Sequence, residues 1–376
     1  MRAMRLFQPA PAEKSPLMQV DIPRPEPGPG QVLLKVRMCG VCHTDLHIIE
    51  GDIHPPAYPV TPGHQVVGEV METGAGVKKL KAGDRIGIPW LYSACGECDF
   101  CREGRENLCP SARFTGFHVD GGYAEYMLAE ECYALPLPQM LEDIQAAPLL
   151  CAGIIGYRSL HQAEVQPGER LGLFGFGASA HLAIQVAHHW GCDVYVFTRS
   201  AQHRQHATEL GAAWVGGVED QPPNQLDRGI IFAPVGSLVP LALEKLRPGG
   251  TLAINAIHMT PIPEMPYALI YGERTLRSVA NATYQDGVEF LKLAAQIPIH
   301  ATTSLYTLKE ANRALLDLKY GRITGEAVLQ VAILWNRHLM TSPAPNVGKM
   351  YRRPGGYALP AALIYTCSWI TSPCQR

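Results

Sequence analysis

The stretch LGLFGFGASAHLAIQVA, residues 171–187, carries the pattern that decides the fold. A short apolar run typical of a strand leads at once into Gly-x-Gly-x-x-Ala and a helix-like segment. Gly175 permits a tight turn, Gly177 lets backbone approach a pyrophosphate, and Ala180 is small enough for close helix packing. The glycine pattern alone is weak evidence, but its place between a strand and a helix favours a dinucleotide site over a chance glycine-rich turn.

Strand-like and helix-like segments alternate beyond this motif. Apolar strands are predicted at 194–197, 230–232 and 251–254, the last after a predicted turn at 247–250, and helices at 178–190 and 201–210. Such alternation is typical of parallel βαβ units. The sequence therefore predicts an α/β fold with a doubly wound, parallel Rossmann-type sheet over residues 152–286.

The flanking regions have a different pattern. Residues 1–151 are rich in Pro and Gly, with short β-type runs separated by turn signals, and predict an irregular, mostly β domain. Residues 287–332 contain helical patterns and a strand-like segment at 327–331, which we expect to pack back on that first domain.

Composition and charge exclude several classes of function. The 376 residues, divided by about 150 per domain, suggest roughly two to three domains. With 32 basic and 34 acidic side chains the formal charge is −2, so neither nucleic acid nor an anionic membrane is an expected partner. No secretory signal or run of about 18 apolar residues is present, which predicts a cytoplasmic protein.

Residues 333–376 form an atypical tail. They include five Lys or Arg, no Asp or Glu, and scattered prolines, which marks a boundary and predicts loose order. An oligomer contact, a surface association or a shifted reading frame are the alternatives.

Four cysteines, Cys95, Cys98, Cys101 and Cys109, lie within one loop-like stretch with the spacing C-x2-C-x2-C-x7-C. Four thiolates this close can surround zinc and cross-link a loop that has little apolar content. Unrelated buried cysteines, a four-iron cluster and a nucleic-acid-binding zinc ribbon are the alternatives. The one-lobe spacing favours zinc over iron, and the acidic character of the lobe opposes nucleic acid.

A second constellation is dispersed along the chain: Cys42 in CGVCHTDLH, His64 in TPGHQVVG and Cys151 in PLLCAGIIGY. With these motifs in this order, residues 2–332 resemble the zinc-dependent alcohol dehydrogenases of the medium-chain dehydrogenase/reductase family. The resemblance implies a GroES-like catalytic domain, formed by 1–151 with 287–332, beside the Rossmann-type domain. It also implies a homodimer or homotetramer.

The resemblance assigns the metal ligands. Cys42, His64 and Cys151 match the ligands of a catalytic zinc, and the four-cysteine lobe matches a structural zinc, giving two Zn²⁺ per chain. Asp45 matches a carboxylate that receives the other ring N–H of the ligand histidine. Its alternative role is an N-cap for a segment starting at Leu46.

The resemblance also implies a reaction. Zinc would act as a Lewis acid on the substrate oxygen while hydride passes between carbon and nicotinamide. Thr44 matches a proton-relay hydroxyl, and His47, three residues on, matches the histidine that passes the proton towards solvent. His43 matches a pyrophosphate contact, with an exposed histidine as the alternative.

The nucleotide preference depends on residues 198–200. NAD-type sites place an acid here for the ribose 2′-hydroxyl, but this chain has Thr198, Arg199 and a serine. A cation and two hydroxyls can bind a 2′-phosphate, so NADP is expected over NAD, unless Arg199 is only a solvated loop residue.

Three residues depart from the family pattern: Gln65 replaces a Glu, Ile155 stands near the nicotinamide position, and Glu326 replaces an Arg on the pyrophosphate. The resemblance implies that Trp90 and Ile49 line an apolar substrate pocket, with core packing as the alternative for both. The predicted function is interconversion of alcohols with aldehydes or ketones. A catalytically silent zinc- and dinucleotide-binding sensor or structural relative is the alternative.

Overall fold

The computed structural model describes residues 1–332. The predicted order of the tail, residues 333–376, therefore lies outside the described part of the chain. The strands of the described part are β1 (Arg2–Leu6), β2 (Leu17–Asp21), β3 (Gln31–Val41), β4 (Val66–Thr73), β5 (Arg85–Ile88), β6 (Leu91–Ser93), β7 (Arg113–Phe114), β8 (Tyr126–Glu130), β9 (Leu135–Pro136), β10 (Arg170–Phe174), β11 (Asp193–Phe197), β12 (Trp214–Gly216), β13 (Leu226–Ile231), β14 (Leu246–Ile254), β15 (Thr275–Ser278), β16 (Thr303–Thr307) and β17 (Glu326–Gln330).

The α-helices of the same part are α1 (His43–Glu50), α2 (Asp99–Arg102), α3 (Asp143–Pro148), α4 (Ile154–Gln162), α5 (Ala178–His189), α6 (Ala201–Glu209), α7 (Leu238–Lys245), α8 (Tyr284–Ala294) and α9 (Ala311–Lys319). A π-helical segment, Leu149–Gly153, joins α3 to α4. Within residues 1–332, none of the helices combines the length and apolar character needed to cross a membrane.

Strands β10 to β15 form the parallel sheet that the sequence predicts. Their spatial order is β12-β11-β10-β13-β14-β15, and every neighbouring pair is parallel. The chain leaves β10 towards β11 on one side and later returns to β13 on the other. The carboxyl end of β10 is therefore a topological switch point, where ligands bind in open α/β sheets.

The sequence predicted a turn at 247–250 before the strand, but in the structure these residues lie inside the strand. Strand β14 begins at Leu246, and its register with β13 shifts between the pairs Leu226↔Leu246 and Arg228↔Thr251. The extra residues form a bulge in which Gly249 has a φ of 73°. Pro and Gly thus mark a bulge inside the strand here and not its beginning.

The second sheet is mostly antiparallel and has the order β16-β17-β3-β4-β5-β9, with β8 also paired to β3. Strand β17 is parallel to β16 and antiparallel to β3. The C-terminal strands of the described chain therefore complete a sheet that the N-terminal third began. A continuous apolar core links the two sheets, since Met38 and Val67 pack in the same buried cluster as Leu171 and Leu173.

Candidate active site

A cavity of about 970 Å³ lies at the switch point, between the two sheets. Most residues that the sequence singled out line it, and they come from both sheets: Cys42, His43, Thr44, His47, Trp90, Cys151, Ile155, Gly175, Gly177, Thr198, Arg199 and Glu326.

The folded chain brings Cys42, His64 and Cys151 together. Their ligand atoms all lie within 4.8 Å of one another. Cys42 is the residue before α1, His64 lies two residues before β4, and Cys151 lies in the π-helical segment. Such π-turns are frequent at functional sites, because they turn a side chain out of the regular helical path.

Asp45 fixes the orientation of the His64 ring. Its carboxylate accepts hydrogen bonds from His64 Nδ1 at 3.1 Å, Gly63 N at 3.1 Å, Cys42 N at 3.0 Å and the Tyr123 hydroxyl at 3.2 Å. Helix α1 begins at His43, so Asp45 is its third residue and not the N-cap before Leu46.

The remaining ring nitrogen fits a metal. Within residues 1–332, the buried Nε2 of His64 has no hydrogen-bond partner. Burial alone would lower the pKa of His64, but the Asp45 carboxylate and the Cys42 sulfur raise it to about 10. The sulfurs of Cys42 and Cys151 and the oriented ring nitrogen of His64 form a set of donor atoms that suits zinc.

The four cysteines of the lobe also converge. Their sulfur atoms lie within 4.8 Å of one another. Backbone N–H groups of Cys98 and Ser111 donate to Cys95 Sγ and Cys109 Sγ, each at 3.3 Å. Hydrogen bonds from backbone N–H groups of Glu97 and Cys98 lower the pKa of Cys95 to about 6, which favours a thiolate. This closed sulfur set fits a structural zinc.

The glycine motif has the geometry of a dinucleotide cradle. Gly175 has a φ of 93°, and a Cβ there would lie 3.1 Å from Ala233. A Cβ on Gly177 would meet no atom within 4 Å, because that position faces the cavity. Ala180 is fully buried in the core beneath. A tight turn, open backbone and the N-terminus of α5 together suit a pyrophosphate.

Residues 198–200 stand at the end of β11. Thr198 is buried, Arg199 is exposed, and Ser200 caps α6 by accepting a hydrogen bond from His203 N at 3.3 Å. His203 and Glu219 line the same cavity and were not identified from the sequence.

Thr44 and His47 project from α1 into the cavity. Thr44 Oγ1 is 3.7 Å from Cys42 Sγ, and His47 Nδ1 is 2.7 Å from Asp52 Oδ2. The ring of His258, from beyond β14, lies 5.6 Å from that of His47. Asp52 and His258 were missed, because an acid five residues on and a histidine two hundred residues away carry no local spacing signal.

Trp90 and Ile49, the two predicted pocket residues, behave differently. The Trp90 ring lines the cavity, 4.8 Å from the His64 ring and stacked on Phe114 at 5.0 Å. Ile49 is fully buried in the apolar cluster behind α1, so its prediction as a pocket residue is wrong. The cavity face of α1 carries Thr44 and His47, and Ile49 points to the opposite, core-facing side.

The two unusual polar residues, Gln65 and Glu326, contact each other. Gln65 Nε2 donates to Glu326 Oε1, and Gln65 Oε1 accepts from Ala152 N at 3.4 Å. Burial, together with the charge of the nearby Cys42 sulfur, raises the pKa of Glu326 well above its usual range. Gln65 therefore connects the segments that carry His64 and Cys151 to strand β17.

Comparison with known proteins agrees with this geometry. Residues 28–139 match the alcohol dehydrogenase GroES-like domain family, and residues 180–296 match the zinc-binding dehydrogenase family. The chain is 49% identical to "Probable alcohol dehydrogenase AdhA" of Mycobacterium tuberculosis over 337 residues, covering 88% of this chain and 97% of that protein.

Solved structures with this fold bind either nicotinamide cofactor. CAD from Helicobacter pylori, complexed with NADP(H), has a TM-score of 0.78 and 26% identity, covering 88% of this chain and 99% of that one. Acetophenone reductase from Geotrichum candidum, in complex with NAD, has a TM-score of 0.79 and 25% identity, covering 88% and 97%. Zinc-ligand geometry, the dinucleotide cradle and the extent of the sequence match lead to one conclusion: the chain belongs to the zinc-dependent alcohol dehydrogenases of the medium-chain dehydrogenase/reductase family.

Proposed function

We propose that this alcohol dehydrogenase interconverts small apolar alcohols and aldehydes with NADP(H), using one zinc at Cys42, His64 and Cys151 and a second in the cysteine lobe. The observation that carries the proposal is that one cavity is lined by Cys42, Cys151, the glycine cradle and Arg199. The buried His64 lies behind that wall, with its ligand atom within 4.8 Å of both cysteine sulfurs. When bound, the zinc would polarise the substrate oxygen and the nicotinamide would carry the hydride.

The residues of the chain supply positioning and proton transfer. Thr44 lies beside the ligand Cys42, and its hydroxyl can exchange a proton with the substrate oxygen. His47 is nearly one turn further along α1, and its Nδ1 is held by Asp52, which directs Nε2 to the cavity. Thr44 and His47 therefore form the proton route, while His43 contributes to the wall near the pyrophosphate.

The local charge at residues 198–200 supports NADP(H). Arg199 is exposed at the cavity edge, and it can pair with a 2′-phosphate. Thr198 adds a hydroxyl at the end of β11, as the sequence predicted. The acidic Glu219 lies on the same wall and opposes this preference, so the measured ratio of the two cofactors is the decisive quantity.

The apolar wall supports the substrate class. Trp90 lines the cavity beside the His64 ring, and Phe114 and Phe117 pack against Trp90. A catalytically silent sensor would have no need for a complete ligand set facing a proton route, and this alternative is not favoured.

The test combines metal analysis of the full chain with a screen of alcohols and aldehydes using NAD(H) and NADP(H). We expect two zinc ions per chain, turnover of small apolar substrates and a higher kcat/KM with NADP(H). Cys42→Ala should lose about one zinc and nearly all turnover while remaining folded. The matched control, Cys192→Ala, changes a buried cysteine outside the site and should keep both zinc ions. Full activity in zinc-free protein would contradict the metal assignment, and a tenfold preference for NAD(H) would contradict the cofactor assignment.

A further inference from the structure

The cysteine lobe makes hydrogen bonds to the segment after β15 and to the first residue of α8. Glu106 Oε1 accepts a hydrogen bond from Tyr284 N at 2.8 Å, at the N-terminus of α8. Asn107 Nδ2 donates to Ala280 O at 2.7 Å, and the Asn107 side chain is buried. Both residues lie between the third and fourth cysteines of the lobe, so their positions depend on how the lobe closes.

Asn281 links this contact to the active-site cavity. Its backbone has a φ of 55°, a left-handed conformation that Asn tolerates better than most residues. Its Nδ2 donates to Asn107 O at 3.5 Å, and its Oδ1 accepts from Trp90 Nε1 at 3.0 Å. The Asn281 side chain is therefore hydrogen-bonded to the cysteine lobe through Nδ2 and to Trp90 on the cavity wall through Oδ1.

Trp90 is the last residue in this series of contacts from the cysteine lobe. Its ring lies between the His64 imidazole and Phe114, and it lines the cavity. The rings of His64, Phe114 and Phe117 surround the indole, and the hydrogen bond at Nε1 adds a directional contact that fixes the rotation of the indole in its own plane. The position of the ring edge decides how much room a substrate has beside the ligand His64.

We infer that Asn281 is a specificity-determining positioning residue, through which Asn107 of the cysteine lobe holds Trp90 against the substrate side of the cavity. The inference rests on the proposed function in one point, which is that the substrate binds beside Trp90. The lobe then has a role beyond local stability, because its closure sets the width of the pocket. A lobe that only stabilises the fold would not influence the choice between substrates.

The test uses two variants and their combination. Asn281→Gly keeps the left-handed backbone and removes both side-chain bonds, and Asn107→Ala removes the bond to Ala280. Asn281→Asp keeps an acceptor for Trp90 and is the conservative rescue variant. Gln285→Ala changes an exposed amide on the same segment, bonded to Glu289, and is the matched control.

Two readouts separate positioning from stability. The first is the ¹⁵N indole resonance of Trp90 in the full chain, assigned with Trp90→Phe, which reports the Nε1 hydrogen bond without any substrate. The second is the ratio of kcat/KM for a bulky aromatic aldehyde to that for a short aliphatic one. We expect Asn281→Gly to shift the resonance and change the ratio about fivefold. Asn107→Ala should shift the resonance and change the kcat/KM ratio to a smaller extent. The double variant should show the same shift and the same ratio as Asn281→Gly alone.

The outcomes decide the inference. Recovery of the resonance in Asn281→Asp and no effect in Gln285→Ala would support it. An unmoved resonance in Asn281→Gly, or a moved resonance with an unchanged ratio, would overturn it. If the protein turns over no alcohol or aldehyde, the proposed function fails. The positioning role is tested separately, because it fails if the Trp90 indole resonance does not move in Asn281→Gly.

Discussion

At the scale of single residues, Asp45 organises more of the site than any of the ligands. Four donors converge on its carboxylate, and they include the ring of one ligand and the backbone N–H of another. Its side chain is fully buried. A buried carboxylate is stable when it is paired and hydrogen-bonded, and here those bonds also orient the metal donors.

Asp45→Asn should therefore weaken zinc binding without removing a ligand. An amide offers only one acceptor oxygen and places an NH2 group against donors, so we expect zinc affinity to fall about 10- to 100-fold. Competition with a chromogenic chelator measures the affinity. Asp52→Asn, which changes the exposed carboxylate on His47, should keep zinc and slow turnover. Equal zinc retention in Asp45→Asn and the parent protein would show that Asp45 does not position the ligands.

Arg199 carries the second prediction at this scale. Arg199→Asp removes a cation and places an anion beside the ribose 2′ position, which should cost about 2 kcal/mol or more in NADP(H) binding relative to NAD(H). The ratio of kcat/KM for the two cofactors should then reverse, while Arg199→Lys should keep the original preference. An unchanged ratio in Arg199→Asp would leave no role for Arg199 in cofactor choice.

Residues with a spacing signal could be found from the sequence, and residues placed by the tertiary structure could not. The cysteines of the lobe are close in sequence because a loop must close around one metal. Ile49 was assigned to the pocket by resemblance, with core packing as the alternative, because the sequence does not show which side of α1 faces the core. Asn281 is a single amide 191 residues from its partner Trp90, and no local pattern marks it.

At the scale of elements, the pair Gln65 and Glu326 joins three parts of the chain. Gln65 extends from the start of β4 to the π-helical segment and to β17. Gly40 on β3 leaves room for the Gln65 side chain, because a Cβ at position 40 would lie 2.7 Å from Gln65 Nε2. The sequence identified both polar residues as unusual, Gln65 for the loss of a carboxylate next to His64 and Glu326 for an effect on phosphate contacts, but it did not predict that they pair. Their pairing depends on β17 lying beside β3, which is a property of the sheet.

Glu326→Gln and Glu326→Ala should therefore differ. Gln has the same shape as Glu and keeps a side-chain oxygen that can accept from Gln65, and burial raises the pKa of Glu326, which favours an uncharged side chain at this position. Ala leaves the Gln65 amide buried and unpaired, which should lower the free energy of unfolding by about 1–3 kcal/mol. Urea unfolding of the zinc-loaded proteins measures the difference. Equal losses in the two variants would show that the carboxyl group and not the hydrogen bond is needed.

At the scale of the whole molecule, function depends on the cleft between two sheets of different kinds. The parallel sheet was predictable, because each βαβ unit repeats a local apolar pattern. The mostly antiparallel sheet was predictable only as a class, since its order joins β17 to β3 across most of the chain. The cleft itself is a consequence of both sheets, so the sequence could name its residues but not their distances.

The last prediction concerns where the working molecule ends. Residues 1–332 contain both sheets and every residue assigned to the site, and the match with the Mycobacterium tuberculosis relative covers 97% of that protein. Truncation after Ala332 should therefore leave zinc content, melting temperature and turnover close to those of the full chain. Truncation after Arg322 is the matched control, because it removes β17 and Glu326, separates β16 from the sheet, takes one paired strand away from β3 and should prevent stable folding. The three proteins can be compared by thermal unfolding, metal analysis and steady-state kinetics. If the protein ending at Ala332 aggregates or loses turnover, residues 333–376 contribute to the fold, and a search for their contact site would follow.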